Sequence, residues 1–417
     1  MRKSHLAGER TARVVFALGV YWLLVALIGF YASRCCAEEA DAIGQPGTSL
    51  PALGANPGAA VGVGAGLSAA AGAGVPSAAI ASPLRNVNGA NGEAPATAWL
   101  AMPNMIGDFV NSGGFFRRAP DFGSIPTETR YKVMDDNNPL PTDRVFFDYQ
   151  HYAGAVDNVT SPTDLNHFLF GAEKTFFDGM ASVEVRLPLD QALSAIQPTP
   201  LPVEASGTEF GNIALVPKVV LLREDDWCIS SGLGVILPTA RSSVITLAGT
   251  TTTIENQSVH LQPFVGWEWQ PNERWFTMAF VGFDFDPHGD PVISGGGIAG
   301  QLFDQNLFSL DWKWGYWLYQ NPSARFLNSV APTIELHYTT AITDGTTVAS
   351  GAATYGPEVA GIGRWSNLNI TGGIHCAMGK SMLTLYGAAP LVSQFDPATG
   401  ALSSFFSEFG VQLDRRF

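Results

Sequence analysis

From Arg144 onward the chain alternates apolar and polar residues over short runs. Val183, Val185 and Leu187 face away from Glu184 and Arg186, and Val330, Pro332, Ile334, Leu336 and Tyr338 oppose Thr333, Glu335, His337 and Thr339. Phe308, Leu310, Trp312, Trp314, Tyr316 and Leu318 oppose Ser309, Asp311, Lys313 and Gly315. Period two is the mark of a strand with two unlike faces. Twelve strands are predicted, at 145–155, 165–174, 181–187, 211–222, 227–237, 260–269, 275–286, 307–319, 329–339, 365–376, 381–389 and 405–417.

The connections alternate in length. They are short after strands 2, 4, 6, 8 and 10, around Asp178-Gly179, Glu224-Asp225-Asp226, Pro271-Asn272-Glu273, Asn321-Pro322-Ser323 and Gly379-Lys380. They are long after strands 3, 5, 7 and 9, near 188–210, 238–259, 287–306 and 340–364. Alternation alone also suits a soluble sandwich. The short–long rhythm is that of an outer-membrane barrel with short periplasmic turns and long external loops. The fold class expected is therefore all-β, a closed antiparallel transmembrane β-barrel of about 12 strands over 145–417.

The last strand carries Phe409, Val411, Leu413 and Phe417 on one face, with Glu408, Gly410, Gln412, Asp414 and Arg416 on the other. The first set is expected to face lipid and, with the terminal aromatic, to form the signal read by the barrel-assembly machinery. Arg415 interrupts that face near the chain end, where its stem can snorkel to headgroups. Trp227, Trp267, Trp269, Trp275, Trp317 and Tyr319 lie beside the short turns and are expected at the lipid–water interface. A soluble aromatic core is the competing reading.

Upstream of the strands the text is different. Residues 1–13 are basic and Val14–Tyr31 is an uncharged apolar run, so 1–37 reads as a secretory signal with cleavage near Cys36-Ala37, or else as an anchor helix. Residues 38–98 are an Ala/Gly/Pro-rich linker with little to pack, expected to be disordered. Residues 99–144 are a periplasmic lead-in or a plug. Cys228 and Cys376 are too isolated to define a disulfide framework.

Charge changes the picture of the interior. Only 14% of the 417 residues are charged, and the formal net charge is −14, which disfavours nucleic-acid partners. The strand phase sends Asp148, Glu173, Glu184, Glu268, Asp284, Asp311, Glu335, Glu408 and Asp414 inward, with Arg186, Lys218, Lys313, His337 and His375. These are the candidate lumen residues, and their balance predicts an electronegative lumen favouring cations. Mutual ion pairing across strands is their plainer role. Phe264, Phe276 and Phe280 also fall inward, as a greasy constriction or as packing for a plug.

No nucleotide loop, zinc-protease motif or tight Cys/His cluster is present, so no catalytic residue, cofactor or metal is assigned. Asp284, Asp286, His288 and Asp290 could catch a divalent cation, although a solvated acidic loop is their plainer reading.

The passages Arg144-Val145-Phe146-Phe147-Asp148-Tyr149, Gly171-Ala172-Glu173-Lys174-Thr175-Phe176, Ala181-Ser182-Val183-Glu184-Val185-Arg186-Leu187-Pro188, Gly211-Asn212-Ile213 and Gly232-Leu233-Gly234-Val235-Ile236-Leu237-Pro238-Thr239 resemble bacterial outer-membrane channels similar to the phenol meta-pathway transporter family. The PTDRVFF passage with an Ala-rich leader suggests a planctomycete-like cell envelope. The resemblance implies passage of small solutes, hydrophobic or aromatic ones included, through an outer-membrane channel of a Gram-negative-type bacterium. Membrane lipid is expected around it, and a monomer is expected with an oligomer left open. A membrane-anchored structural or adhesion protein with an occluded barrel is the main alternative, and an outer-membrane lipid hydrolase a lesser one.

Overall fold

The computed structural model describes residues 102–108, 130–156, 163–193, 207–247, 250–350, 353–355, 366–392 and 407–417. The expected signal and linker, 1–37 and 38–98, lie outside the described residues.

Twelve strands form the wall: β1 Arg144–Val156, β2 Thr163–Phe176, β3 Ala181–Leu193, β4 Ala214–Arg223, β5 Trp227–Ile236 and β6 His260–Trp269. They continue with β7 Trp275–Asp284, β8 Leu307–Tyr316, β9 Ser329–Ala341, β10 Ser366–Met378, β11 Ser381–Val392 and β12 Ser407–Arg416. Each pairs antiparallel with its sequence neighbours, and β1 closes on β12 from Arg144↔Arg416 to Ala153↔Ser407. With ten to fourteen residues each, the strands match the roughly 9–11 tilted residues that span a hydrocarbon core. Closure satisfies every wall strand's backbone within the sheet, the condition for a sheet to survive in lipid.

Most strand ends fall within three residues of expectation. The exception is β3, which continues six residues beyond the predicted end. Pro188 reads as a stop, yet it stays in register with Leu169, and its carbonyl accepts the Gly211 N–H at 3.0 Å.

The wall is inverted relative to a soluble protein. Val183, Ile374 and Leu413 are exposed at 40%, 50% and 45%, while Glu184, His375 and Asp414 on alternate positions are buried. Phe409, Leu413 and Phe417 are exposed, and Val411 between them is half-buried. Such an outer face is stable only against lipid. Trp275 and Trp269 are exposed at the short-turn end as expected. Trp317 is a correction: it is fully buried, 5.1 Å from Phe276 between ring centroids, so it packs inside the barrel and not at the lipid interface. It lies one residue past the end of β8, where what packs beside it sets the facing of its side chain.

At the opposite end the long loops build structure of their own. Ser243–Leu247, Thr250–Ile254, Asp290–Ser294 and Gly297–Leu302 form a four-stranded sheet, and Val348–Ser350 pairs with Ala353–Tyr355. Ile254, Val292, Leu302 and Val348 form a small separate core beneath them. Three different loops contribute, so no single stretch of sequence announces it.

A twelve-stranded wall is wider than the eight-stranded barrels whose own side chains fill them. Here two upstream stretches lie inside. The stretch 102–108 starts at the short-turn end, where Arg416 Nη2 donates to Met102 O, and climbs to Asp108, which accepts from Asn369 Nδ2 at 2.6 Å. The stretch 130–138 starts near the long-loop end, where Arg130 pairs with Asp284, and returns to the start of β1. The two limbs meet where Met105 N donates to Asn137 O at 2.9 Å. Met105, Ile106, Arg130 and Val133 are completely buried.

Candidate functional site in the charged interior

All fourteen inward charged and histidine residues singled out from the strand phase are buried. Most of them are engaged with one another and with the interior stretches in three groups, and Asp148, Glu268 and Glu408 stand apart.

The first group surrounds Arg144, the opening residue of β1. Its guanidinium reaches Glu184 Oε2 at 2.7 Å, Asp414 Oδ1 at 2.7 Å, and Glu173 Oε2 and Asp136 Oδ1 at 3.1 Å each. It lies 4.3 Å from the Phe146 ring centroid. Glu173 also takes Lys218 at 3.1 Å, and Glu184 takes Arg186 at 2.5 Å. Lys218 donates to Asn138 O at 2.6 Å and Arg186 to Val133 O at 3.1 Å, so the wall's cations bind the backbone of the descending limb.

The second group lies at mid-wall. Lys132 pairs with Asp108 and, at 2.8 Å, with Asp311. His337 Nδ1 lies 2.9 Å from Asp311 and its Nε2 3.1 Å from Glu335. Glu335 accepts the N–H groups of Ile106 and Gly107 at 2.9 and 3.0 Å and pairs with Lys313 at 3.2 Å. Lys313 donates to Asn104 O and lies 3.0 Å from His375 Nε2. Burial works against the Lys132 ammonium, but the adjacent Asp108 and Asp311 outweigh it and hold its pKa above the ordinary lysine range. Asp108, Asp311 and His337 have the spacing of a metal-ligand set, yet Lys132 already supplies the positive charge there. Gly107 is required: its φ is +100°, and a Cβ would meet Asp135 Cγ at 2.4 Å.

The third group is at the long-loop end. Asp284 holds Arg130, Gln262 Nε2 at 2.7 Å and His260 Nδ1 at 3.1 Å. Asp284, Asp286, His288 and Asp290, weighed as a cation loop against a solvated acidic one, do not converge on one point. His288 is exposed, with Nδ1 3.1 Å from Pro287 O, and one Asp290 oxygen accepts the Gln257 and Ser258 N–H groups.

Of the remaining residues, Glu268 accepts the Cys228 thiol at 3.4 Å. Asp148 accepts the Tyr386 hydroxyl at 3.3 Å and Gln412 Nε2 at 3.4 Å. Gly410 makes the Tyr386 contact feasible, since a Cβ there would lie 2.3 Å from the phenol carbon. Glu408 is buried, and neither carboxylate oxygen has a hydrogen-bond partner among the described residues. Phe264, Phe276 and Phe280 are buried in one cluster with Met105, Tyr131, Val133 and Met134 of the interior stretches.

Sequence reading missed Arg144, although it shares the even, inward parity of Asp148. It also missed Asp108, Arg130, Lys132 and Asp136, whose stretches carry no strand periodicity from which a facing direction could be read.

Wall, lipid-facing belt and polar interior together define a closed β-barrel of the outer-membrane type. No family model and no curated protein matches the sequence. Among solved structures the chain is similar to an outer-membrane channel from Pseudomonas putida F1, at 12% identity, 67% of this chain, 97% of that one and a TM-score of 0.45. It is also similar to a Pseudomonas aeruginosa FadL homologue, at 9% identity, 76% of this chain, 100% of that one and a TM-score of 0.36. A third is the Ralstonia pickettii toluene transporter TbuX, at 9% identity, 75% of this chain, 99% of that one and a TM-score of 0.33.

Proposed function

We propose that the chain is an outer-membrane channel for small solutes, closed by an interior segment made of its stretches 102–108 and 130–143 and opened when that segment shifts. The observation that carries this reading is how the segment is attached. Its limbs are held chiefly by ion pairs and hydrogen bonds to a polar inner face, and such contacts can be exchanged for water, whereas a barrel built only as a scaffold would gain more from an apolar filling.

Fourteen buried carboxylates face six buried lysines and arginines among the described residues. That surplus supports a preference for cations, weakened by salt. Phe264, Phe276 and Phe280 would line the path once the segment withdrew, which supports passage of hydrophobic or aromatic solutes as well. The second reading, an occluded structural or adhesion protein, draws on the density of the same contacts and on the sheet built by the outer loops.

Planar-bilayer recording on the folded full chain separates the two. The channel reading expects discrete current steps with a cation-selective reversal potential in a salt gradient. Glu335→Gln, which weakens the hold on Ile106 and Gly107, should raise the open fraction. Electrical silence of both proteins, with folding verified by heat-modifiable electrophoresis, would establish the occluded reading instead.

A further inference from the structure

We propose that His260, Asp286 and Asp304 form a binding site for a divalent transition-metal ion of the zinc class at the outer mouth of the barrel. One imidazole nitrogen and one oxygen from each carboxylate lie within 4.8 Å of one another. They come from the first residue of β6, the residues just past β7 and the approach to β8. Ligand atoms held at about 2.0–2.2 Å from a tetrahedral zinc ion sit roughly 3.3–3.6 Å apart. His260 Nε2 and Asp304 Oδ2 are 3.5 Å apart.

The orientation of the imidazole is a separate observation. His260 Nδ1 faces Asp284 Oδ1 at 3.1 Å, and Asp284 is itself fixed by Arg130 and Gln262. With the proton on Nδ1, the lone pair of Nε2 points at the Asp304 carboxylate over a distance too long for a good hydrogen bond. In that tautomer Nε2 is the atom free to ligate an ion held between it and Asp304. A carboxylate behind a histidine is also the arrangement that fixes the tautomer of metal-bound imidazoles.

The carboxylates are equally preset. Asp286 accepts the Gly289 N–H at 2.7 Å on one oxygen and the Asp304 N–H at 2.7 Å on the other, which sets Asp304 beside it. Arg130, the nearby permanent cation, is already paired with Asp284. One nitrogen and two carboxylate ligands leave a place for water and suit zinc better than calcium, which prefers oxygen alone. A bound ion would fasten the 285–306 loop to the top of β6.

The test is a zinc titration of the folded, chelator-treated full chain in detergent micelles, followed by X-ray absorption at the zinc edge. One saturable equivalent with an imidazole in the first shell is expected. Asp304→Asn, which lies outside the wall strands, and His260→Ala should each weaken binding at least tenfold. Asp284→Asn should weaken it by roughly 10–100-fold through the imidazole, and His288→Ala should leave it unchanged. No saturable binding to the wild type would overturn the proposal. So would affinity unaffected by Asp304→Asn in a variant that keeps its strand circular dichroism.

Discussion

Arg144 Nη1 lies 2.7 Å from Asp414 Oδ1, joining the strand that opens the barrel to the strand that closes it across 270 positions of chain. The same guanidinium holds Glu173, Glu184 and Asp136, all buried. Removing one cation from such a group leaves several buried charges uncompensated, typically a loss of about 3–5 kcal/mol. Arg144→Met should lower the stability of the refolded protein by that order in urea titrations followed by tryptophan fluorescence. Arg144→Lys should fall between, because a single ammonium cannot meet four carboxylates in a plane. A loss below about 1 kcal/mol for the methionine variant would mean that the ion pairs are relieved elsewhere.

The Glu335 clamp on Ile106 and Gly107 gives a local prediction. Glu335→Gln should speed amide hydrogen exchange in 102–108 while the exchange of β1–β3 stays as it was. Gly107→Ala should do so more strongly, since both its left-handed φ and the Asp135 side chain oppose a Cβ. Unchanged exchange in both variants would show that the stretch is held mainly by its other contacts.

Asp143 sits just before the wall, where it accepts the Thr175 N–H at 2.6 Å and pairs with Lys174 at 2.8 Å. Slight burial raises its pKa, but the hydrogen bonds from Lys174 and Thr175 outweigh this and hold it below the usual carboxylate range. A lowered carboxylate stabilises the fold fully above its unfolded pKa, and that contribution is lost as the pH falls through the lower folded value. Asp143→Asn should therefore cost about 1 kcal/mol at neutral pH, and wild type and variant should begin to converge below about pH 4 and meet once the pH is below the folded value. A difference that persists at pH 2 would contradict this.

Trp317 and Trp275 test the two faces of the wall. Trp317→Ala empties a fully buried site against Phe276 and should cost about 3–5 kcal/mol. Trp275, 55% exposed, should cost well under half as much in detergent when changed to Ala. Its fluorescence should be quenched by brominated lipid while that of Trp317 is not.

The sequence alone determined the wall. Strand number, order, facing of the fourteen interior residues and the outward face of Phe409, Leu413 and Phe417 all follow from a period of two and from the rhythm of loop lengths. Both are local properties, carried by consecutive residues, and lipid outside with polar groups inside makes the alternation strong. Pro188 and Trp317 were misread because a proline in register and a residue just past a strand end depend on what lies alongside.

Only the tertiary structure decided what fills the wall. Asn104 meets Asp414 across 310 positions and Lys132 meets Asp311 across 179, from stretches without any repeating pattern. The outer sheet and the His260–Asp286–Asp304 group likewise draw on separate loops. Such contacts are fixed by where the closed barrel brings distant segments, and no local periodicity encodes that distance.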